Sequence, residues 1–360
     1  MNLKTTLSLL MSLVLTTSLT AQSADNGTNL PAGKKYLLIE TFSTEYCPNC
    51  PSGHKLLHKQ VEGRNDVIFV THHAAFYTDP YSIEQSNELT GFFFNQDYTF
   101  APSIMVNRKD FGYQDTQGPV SNIQKCVNMI RKADQDTMFV TVNMEKEYDK
   151  DTRLLKLRIF GQCAKDIENP VINVYITEDS IKSDRQNGYN GTYVHNSTLR
   201  AIITPTYGEP IQIENGSYSW ETEYTVPGTI TSIEDYGTGE CFETELVDEN
   251  TNIVAFVSNY NPQDPNDCEV YNSFSAGLTK EVVSVENTAA DMHENTAYHI
   301  GGNLIVDGDF EYAEVYSVCG GMIMRTYDKI TDISNLEKGI YIVKITKTGG
   351  KENTAKIAVR

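Results

Sequence analysis

The sequence predicts an α/β domain followed by two all-β domains, and three observations carry that reading. Between residues 35 and 133, apolar β-prone runs alternate with segments of helical spacing. From residue 137 the helical period disappears, and short strand-like runs recur between Asp, Asn, Gly and Pro clusters. After residue 296 the runs shorten again and glycine-rich turns separate them. Alternating strand and helix periods mark a βα architecture, whereas closely spaced strands without helices mark a sandwich. With 360 residues, 39% of them hydrophobic, the chain is long enough to bury more than one core.

The chain opens as an export signal. Lys4 is the only charge in the first 24 residues, residues 9–19 are apolar with Ser and Thr admixed, and Thr20-Ala21 offers a small residue before a cut. Residues 1–21 are therefore read as a signal peptide and 22–34 as a polar linker. No apolar stretch reaches the length of about 20 residues that a spanning helix needs, so no transmembrane span is expected. The formal net charge of -19 argues against nucleic acid and against an anionic membrane surface as partners.

The first domain, residues 35–136, is organised around Cys47-Pro48-Asn49-Cys50-Pro51. A strand over 35–41 leads into it, and a helix over 48–61 follows, with His54, Leu57, His58 and Val61 at helical spacing. Residues 67–71 are continuously β-branched or aromatic, which fits a buried parallel strand. A helix over 81–95, a strand over 101–107 opening with Pro102, a short partner strand over 110–115 and a helix over 120–133 complete the domain. Ile123, Cys126, Val127 and Ile130 share one face of that last helix. A βαβ unit, an antiparallel pair and a terminal helix make up the thioredoxin-like plan. In that plan a cis-proline opens the strand packed against the cysteine pair, so the element order predicts a cis bond before Pro102.

Residues 137–278 are read as an all-β sandwich, from strand-like runs at 138–144, 154–160, 171–177, 219–226, 253–259 and 269–274. Two long polar loops, 182–192 and 232–252, are expected to be mobile or functional. Residues 279–295 read as an acidic linker, and 296–360 as a small antiparallel sandwich.

Seven cysteines in an exported chain leave at least one unpaired within it. Cys241 and Cys268 flank the strand around residues 253–257 in loop-like contexts and are expected to form a structural disulfide. Cys126 and Cys163 lie in apolar settings and read as inert buried thiols, and a buried free thiol is also the plain reading of Cys319.

Cys47 and Cys50 admit two readings. A strand that delivers two cysteines to a helix start suits a dithiol: helix amides and the dipole stabilise a thiolate below its free pKa of about 8.5. Cys47 would then attack disulfides and Cys50 would resolve the mixed disulfide, with Pro102 shaping the groove. The bland reading is a local staple closed by an oxidising compartment. Pro51 and Thr41 weigh against catalysis, because a working thioredoxin keeps a buried acid six residues before its first cysteine. Here the nearest acid is Glu40, one residue earlier and on the opposite strand face. His54 and His58 share a helical face but lie too far along it to join both cysteines on one metal. Cys47 and His58 would stand roughly 15 Å apart at about 1.5 Å per residue, so the histidines are read as solvent-facing. Of His72 and His73 at most one can face the cysteines. A covalent haem site lacks the histidine it needs directly after Cys50. His195 and Arg200 are read as fold-specifying polar residues. The Asp264–Asp267 and Asp307–Asp309 groups lack dense ligand spacing and are read as turns. No metal and no cofactor are expected.

Two resemblances extend this reading. The cysteine motif, Tyr193-Val194-His195-Asn196 with Leu199-Arg200, and Val254-Ala255-Phe256-Val257-Ser258 before Val270-Tyr271-Asn272 resemble the outer membrane protein 28 family of Bacteroidota over residues 35–278. That resemblance implies a thioredoxin-like N-terminal part, a β-rich remainder and an outer-membrane or cell-surface address. Asp309-Phe310-Glu311-Tyr312-Ala313-Glu314-Val315-Tyr316, Gly320-Gly321, Leu336, Lys338-Gly339-Ile340-Tyr341-Ile342-Val343-Lys344 and the ending Lys356-Ile357-Ala358-Val359-Arg360 resemble a type IX secretion C-terminal sorting domain, type A, an Ig-like sandwich. It implies passage through the periplasm and outer membrane by the type IX machinery, which residues 296–360 would engage. The sequence thus predicts an exported surface protein that exchanges disulfides on exported or extracellular proteins. The competing class is a non-catalytic surface binding or adhesion protein with a structural Cys47–Cys50 bond.

Overall fold

The structure, a computed structural model, describes residues 33–74, 77–94, 100–113, 115–280, 297–300, 303–306, 310–317, 321–347 and 352–359. The signal peptide expected over 1–21, nearly all of both expected linkers, Cys319 and the turn expected at Asp307–Asp309 lie outside the described residues. The chain divides into two compact units, Met1–Ser284 and Val285–Arg360.

The first unit runs β1 (Leu37–Ser43), α1 (Cys50–Gln60), β2 (Val67–His73), α2 (Glu84–Phe94), β3 (Ser103–Val106), β4 (Gln117–Pro119) and α3 (Ile123–Asp134). It continues with β5 (Asn143–Asp149), β6 (Leu154–Gln162), β7 (Pro170–Glu178), β8 (Ile181–Ser183), β9 (Tyr193–His195), β10 (Thr198–Ile202) and β11 (Glu209–Pro210). It ends with β12 (Ser217–Thr225), β13 (Thr229–Thr231), β14 (Glu243–Glu245), β15 (Thr251–Asn259) and β16 (Val270–Gly277).

One nine-stranded sheet organises the unit, in the order β16-β15-β7-β10-β2-β1-β3-β4, with β11 also on β7. β2 lies parallel to both β1 and β10, and the other pairings are antiparallel. The sequence reading draws a boundary at residue 136, yet the backbone runs one sheet across it: Thr198 of β10 registers with Thr71 of β2.

The alternation along β1 decides what each face does. Leu37 and Ile39 join Leu57 of α1, Val61 at its C-cap, and Met129 and Ile130 of α3. Leu38 and Phe42 face the other way, into a cluster with Leu89 and Phe93 of α2 and with Tyr175 and Phe256. β7 and β15 are buried on both faces, which explains why 171–177 and 253–257 are nearly continuous apolar runs. Their second face packs on a three-stranded sheet β12-β6-β5 through Met144, Leu155, Leu157 and Ile159.

Three expectations shift locally. α1 begins at Cys50 rather than at 48, because Asn49 is its cap and Gly53 N donates to Asn49 O at 3.0 Å. α2 begins at Glu84 because residues 79–82 form a turn in which Asp79 Oδ1 accepts from Tyr81 N and Ser82 N donates to Asp79 O. The strand expected over 110–115 stands instead at 117–119, since Asp110 Oδ1 folds Gly112 and Tyr113 into a turn. β14, within the loop over 232–252, pairs with β13 just before it as a hairpin.

The Cys241–Cys268 disulfide expected from the sequence is not formed, and both are free thiols. Cys268 is buried beside Val270, whose amide bonds Asn107 O, and Asn107 N in turn bonds Leu38 O near the start of β1. Cys241 is exposed on the hairpin that bonds Ser82, near the opposite end of β1. A seven-residue strand spans roughly 20 Å, far beyond disulfide reach. Cys126 and Cys163 are buried free thiols, and burial pushes the Cys126 thiol up to about 11.

The second unit carries β17 (Ala297–Ile300), β18 (Asn303–Val306), β19 (Tyr312–Ser317), β20 (Met322–Thr326), β21 (Ile330–Asp332), β22 (Gly339–Thr346) and β23 (Glu352–Val359). They form two antiparallel sheets, β17-β18-β21 and β20-β19-β22-β23. Leu304 and Val306 of one sheet and Val315, Val343 and Ile345 of the other share its core.

Candidate functional site

β1 ends at Ser43, and the chain turns at once: Cys47 N donates to Thr44 O at 3.0 Å. Cys47 thus sits in the turn and Cys50 in the first turn of α1. The two are joined by a disulfide with Cα atoms 5.5 Å apart. Pro48 and Pro51 carry no amide hydrogen, so two of the donors that could face a Cys47 thiolate at this helix start are missing. Both cysteines are 1% exposed.

The Ala101–Pro102 peptide bond is cis, as the element order predicts. The proline is buried, its carbonyl accepts from Val120 N at 2.9 Å, and its ring packs on Gly53 of α1. A Cβ on Gly53 would stand 2.3 Å from Pro102 Cγ. Only a glycine admits the proline this close to the helix that begins with Cys50.

On the α1 side of the sheet, Thr41 stands where an acid would be needed. Its hydroxyl donates to Thr71 Oγ1 at 2.9 Å, and Thr71 Oγ1 donates to Asn196 O. These two threonines, Pro51, His54, His58 and Tyr193 are among the walls of a cleft of about 270 Å³. Glu40 lies on the other face, where Arg108 Nε and Nη2 each reach a carboxylate oxygen at 2.7 Å. Burial would raise that carboxyl, but Arg108 and the His72 contact hold it at about 2. Glu40 therefore stays ionised and committed, and it serves no proton to the cysteines.

Directly before Cys47 a buried polar cluster gathers. Asp79 Oδ2 accepts from Glu45 N and meets His73 Nδ1, both at 2.7 Å. Burial opposes ionisation of Asp79, yet His73 and those amides hold its carboxyl below the ordinary range. The rings of His73 and His195 meet edge to face at 5.0 Å, and His195 Nε2 stands 3.7 Å from Glu45 Oε1. Ser183 Oγ also bonds Glu45 Oε1. Burial lowers His195, against the pull of Glu45. His72 and His73 do point to opposite faces, and His73 is the one on the cysteine side.

The reading of His54 as solvent-facing is corrected. As a residue it is partly exposed, but its Nε2 is buried without a hydrogen-bond partner among the described residues, and Nδ1 lies 3.3 Å from Tyr193 OH. Burial, with His73, His58 and His195 nearby, holds it down at about 3, so it is neutral. His58 is exposed, its ring 4.3 Å from that of Phe69. Arg200 is buried against Glu178 and Thr244, as a fold-specifying residue would be. Among the described residues, no group of three His, Cys, Asp or Glu is disposed to hold a metal.

Glu45, Asp79, Arg185 and Asp235 were not singled out from the sequence. Arg185 Nη2 and Asp235 Oδ2 form an ion pair at 2.5 Å, and Tyr46 OH donates to Asp235 Oδ1 at 2.8 Å. These contacts join positions as many as 189 residues apart, and no local spacing announces them.

Comparison with known proteins yields a likeness of fold. No family model matches the chain. No curated protein matches it either. Among solved structures, HBP35 of Porphyromonas gingivalis is similar with a TM-score of 0.55 and 19% identity, over 91% of this chain and 99% of that one. A domain of the outer membrane lipoprotein Omp28 from Porphyromonas gingivalis covers 41% of this chain and 93% of its own, at 19% identity and a TM-score of 0.24. At such identity a likeness speaks for fold alone, and the chain has a mostly β fold with a mixed sheet, similar in its overall course to that of HBP35.

Proposed function

We propose that the chain is an exported surface protein whose N-terminal part is a thioredoxin-like domain carrying out thiol–disulfide exchange on polypeptides. The observation that carries this is the Cys47–Cys50 disulfide at the start of α1 together with cis-Pro102 seated on Gly53 of the same helix. Parallel β1 and β2 bracketing α1, antiparallel β3 and β4, and terminal α3 support the same plan.

In the reduced protein, the Cys47 thiolate attacks one sulfur of a substrate disulfide. The substrate S–S bond breaks, its second sulfur leaves as a thiolate and takes a proton, and a mixed disulfide forms. The Cys50 thiolate then attacks Cys47 Sγ. The Cys47–Cys50 bond closes, the first substrate sulfur leaves, and two electrons have passed to the substrate. Run backwards, the same steps oxidise a substrate dithiol. The test is reduction of insulin disulfides by the dithiol form, which Cys47→Ser should abolish.

A second reading is favoured by specific observations: both cysteines are 1% exposed, Pro48 and Pro51 remove amides, and Thr41 replaces the acid. In it the disulfide is structural, and the surface of the first unit binds a partner without chemistry.

For the second unit we propose the sorting role that its sequence resemblance implies, and with it a cell-surface or outer-membrane address. Removing residues 351–360 deletes β23, the neighbour of β22 in its sheet. The truncated chain is expected to accumulate in the periplasm with its first unit folded, as read by limited proteolysis. Surface display of the truncated chain would contradict the role.

A further inference from the structure

The loop over residues 184–192, between β8 and β9, lies across the segment that carries Cys47. We propose that it is a polar strap that closes the cysteine pair and must lift before any thiol reaches Cys47; this rests on the thiol–disulfide reading for its purpose, not for its geometry.

Four consecutive residues tie the strap down. Arg185 Nε pairs with Glu45 Oε2 at 3.1 Å and its Nη2 with Asp235 Oδ2. Gln186, buried at 4% exposure, donates from Nε2 to Cys47 O at 2.9 Å and to Glu45 O at 3.3 Å. Asn187 N donates to Glu45 O at 2.8 Å, and its side chain reaches Tyr46 O. Gly188, at φ +75°, presses so close on Pro48 that a Cβ would stand 2.1 Å from Pro48 O.

The way the strap is held says that it can open alone. Of its nine residues only Gln186 is buried; Tyr189, 48% exposed, meets the ring of Tyr193 edge to face at 5.2 Å, and Arg185 lies 4.9 Å over the ring of Phe242. Apart from Gln186 and the Arg185 bonds to the buried Glu45 and Asp235 carboxylates, the loop is exposed, and a segment with so little buried apolar surface opens at a fraction of the global unfolding free energy. Gly191, at φ +90°, and the Thr192 Oγ1 to Asp184 Oδ1 bond mark the base of the loop, and the β8–β9 ladder holds its ends together.

The bonds it makes also name the class of substrate. The strap offers a backbone amide to Glu45 O and a side-chain amide to Cys47 O, which are the groups an extended polypeptide offers. Once the strap has lifted, a flexible disulfide-bearing segment can offer backbone amides to these two carbonyls.

The test is the rate at which dithiothreitol reduces Cys47–Cys50 in the full chain, after the free thiols have been blocked. A dithiothreitol thiolate attacks Cys47 Sγ, and the Cys50 thiolate leaves and takes a proton. The second dithiothreitol sulfur then displaces Cys47 as the reagent closes to its cyclic disulfide. Gly188→Ala and Arg185→Ala release the strap by different means. Each is expected to speed reduction roughly tenfold while the far-UV circular dichroism stays that of the wild type; the thermal midpoint stays near the wild-type value in Gly188→Ala and falls in Arg185→Ala, which leaves the buried Glu45 and Asp235 carboxylates without their cation. Wild-type rates in both folded variants would overturn the strap. If reduction accelerates but insulin is never turned over, the strap stands and the catalytic reading falls. If insulin is turned over and neither variant accelerates reduction, the catalytic reading stands and the strap falls.

Discussion

Gly53 and Pro102 show how much one contact can decide. A glycine in an α-helix is disfavoured against alanine by about 1 kcal/mol, so Gly53→Ala should stabilise an isolated helix. Here the added Cβ meets a closed proline ring at 2.3 Å, and overpacking of that kind costs about 1–3 kcal/mol. The clash outweighs the propensity gain, so Gly53→Ala is expected to lower the thermal midpoint by several degrees. A rise in midpoint would mean that the cis-proline does not rest on α1. Neither residue's role follows from its own type. Pro102 was legible because the order of elements placed it, whereas nothing in the sequence marked Gly53 as its seat. Glu40 was placed on the far strand face by the alternation of β1 alone, and its bidentate contact with Arg108 agrees.

At the scale of elements, β1 and the turn after it were legible as the frame of the cysteine pair, since apolar alternation and the motif stand side by side. The cluster around Glu45 was not, because β2, β9 and the 184–192 loop reach it from distant parts of the chain. That cluster gives a pH dependence. His54 stays neutral in the folded protein, held at about 3, while the unfolded chain takes up its proton near 6.5, and burial lowers His195 in the same direction. Protons therefore favour the unfolded state: stability is full above pH 6.5 and falls as the pH drops toward 3. The slope is up to roughly 1 kcal/mol per pH unit for His54. Urea melts at pH 7, 6 and 5 should show a decline that is shallower in His54→Gln. Equal slopes in the two proteins would contradict the burial of His54.

At the scale of the molecule, the sequence reading separated an α/β part from a β part because their local periods differ. The structure joins them through β10, which lies parallel to β2 and carries the sheet from β1 to β7 and β15. Sequence periodicity reports which face of a strand is buried, not which strand lies beside it, so this junction was invisible. It matters for function, because it brings β8, β9 and the strap between them onto the turn that carries Cys47. The mispaired cysteines have the same origin: Cys241 and Cys268 flank one strand in sequence, and the sheet holds them at opposite ends of β1.

Whether the covered pair is a working dithiol decides between the two readings. The most direct measurement is the rate of insulin-disulfide reduction by the pre-reduced full chain, compared with Cys47→Ser. Reduction by the wild type is expected, raised further in Gly188→Ala and absent in Cys47→Ser. Equal rates from wild type and Cys47→Ser, or none from the wild type even with the strap released, would contradict it and leave the disulfide as a staple.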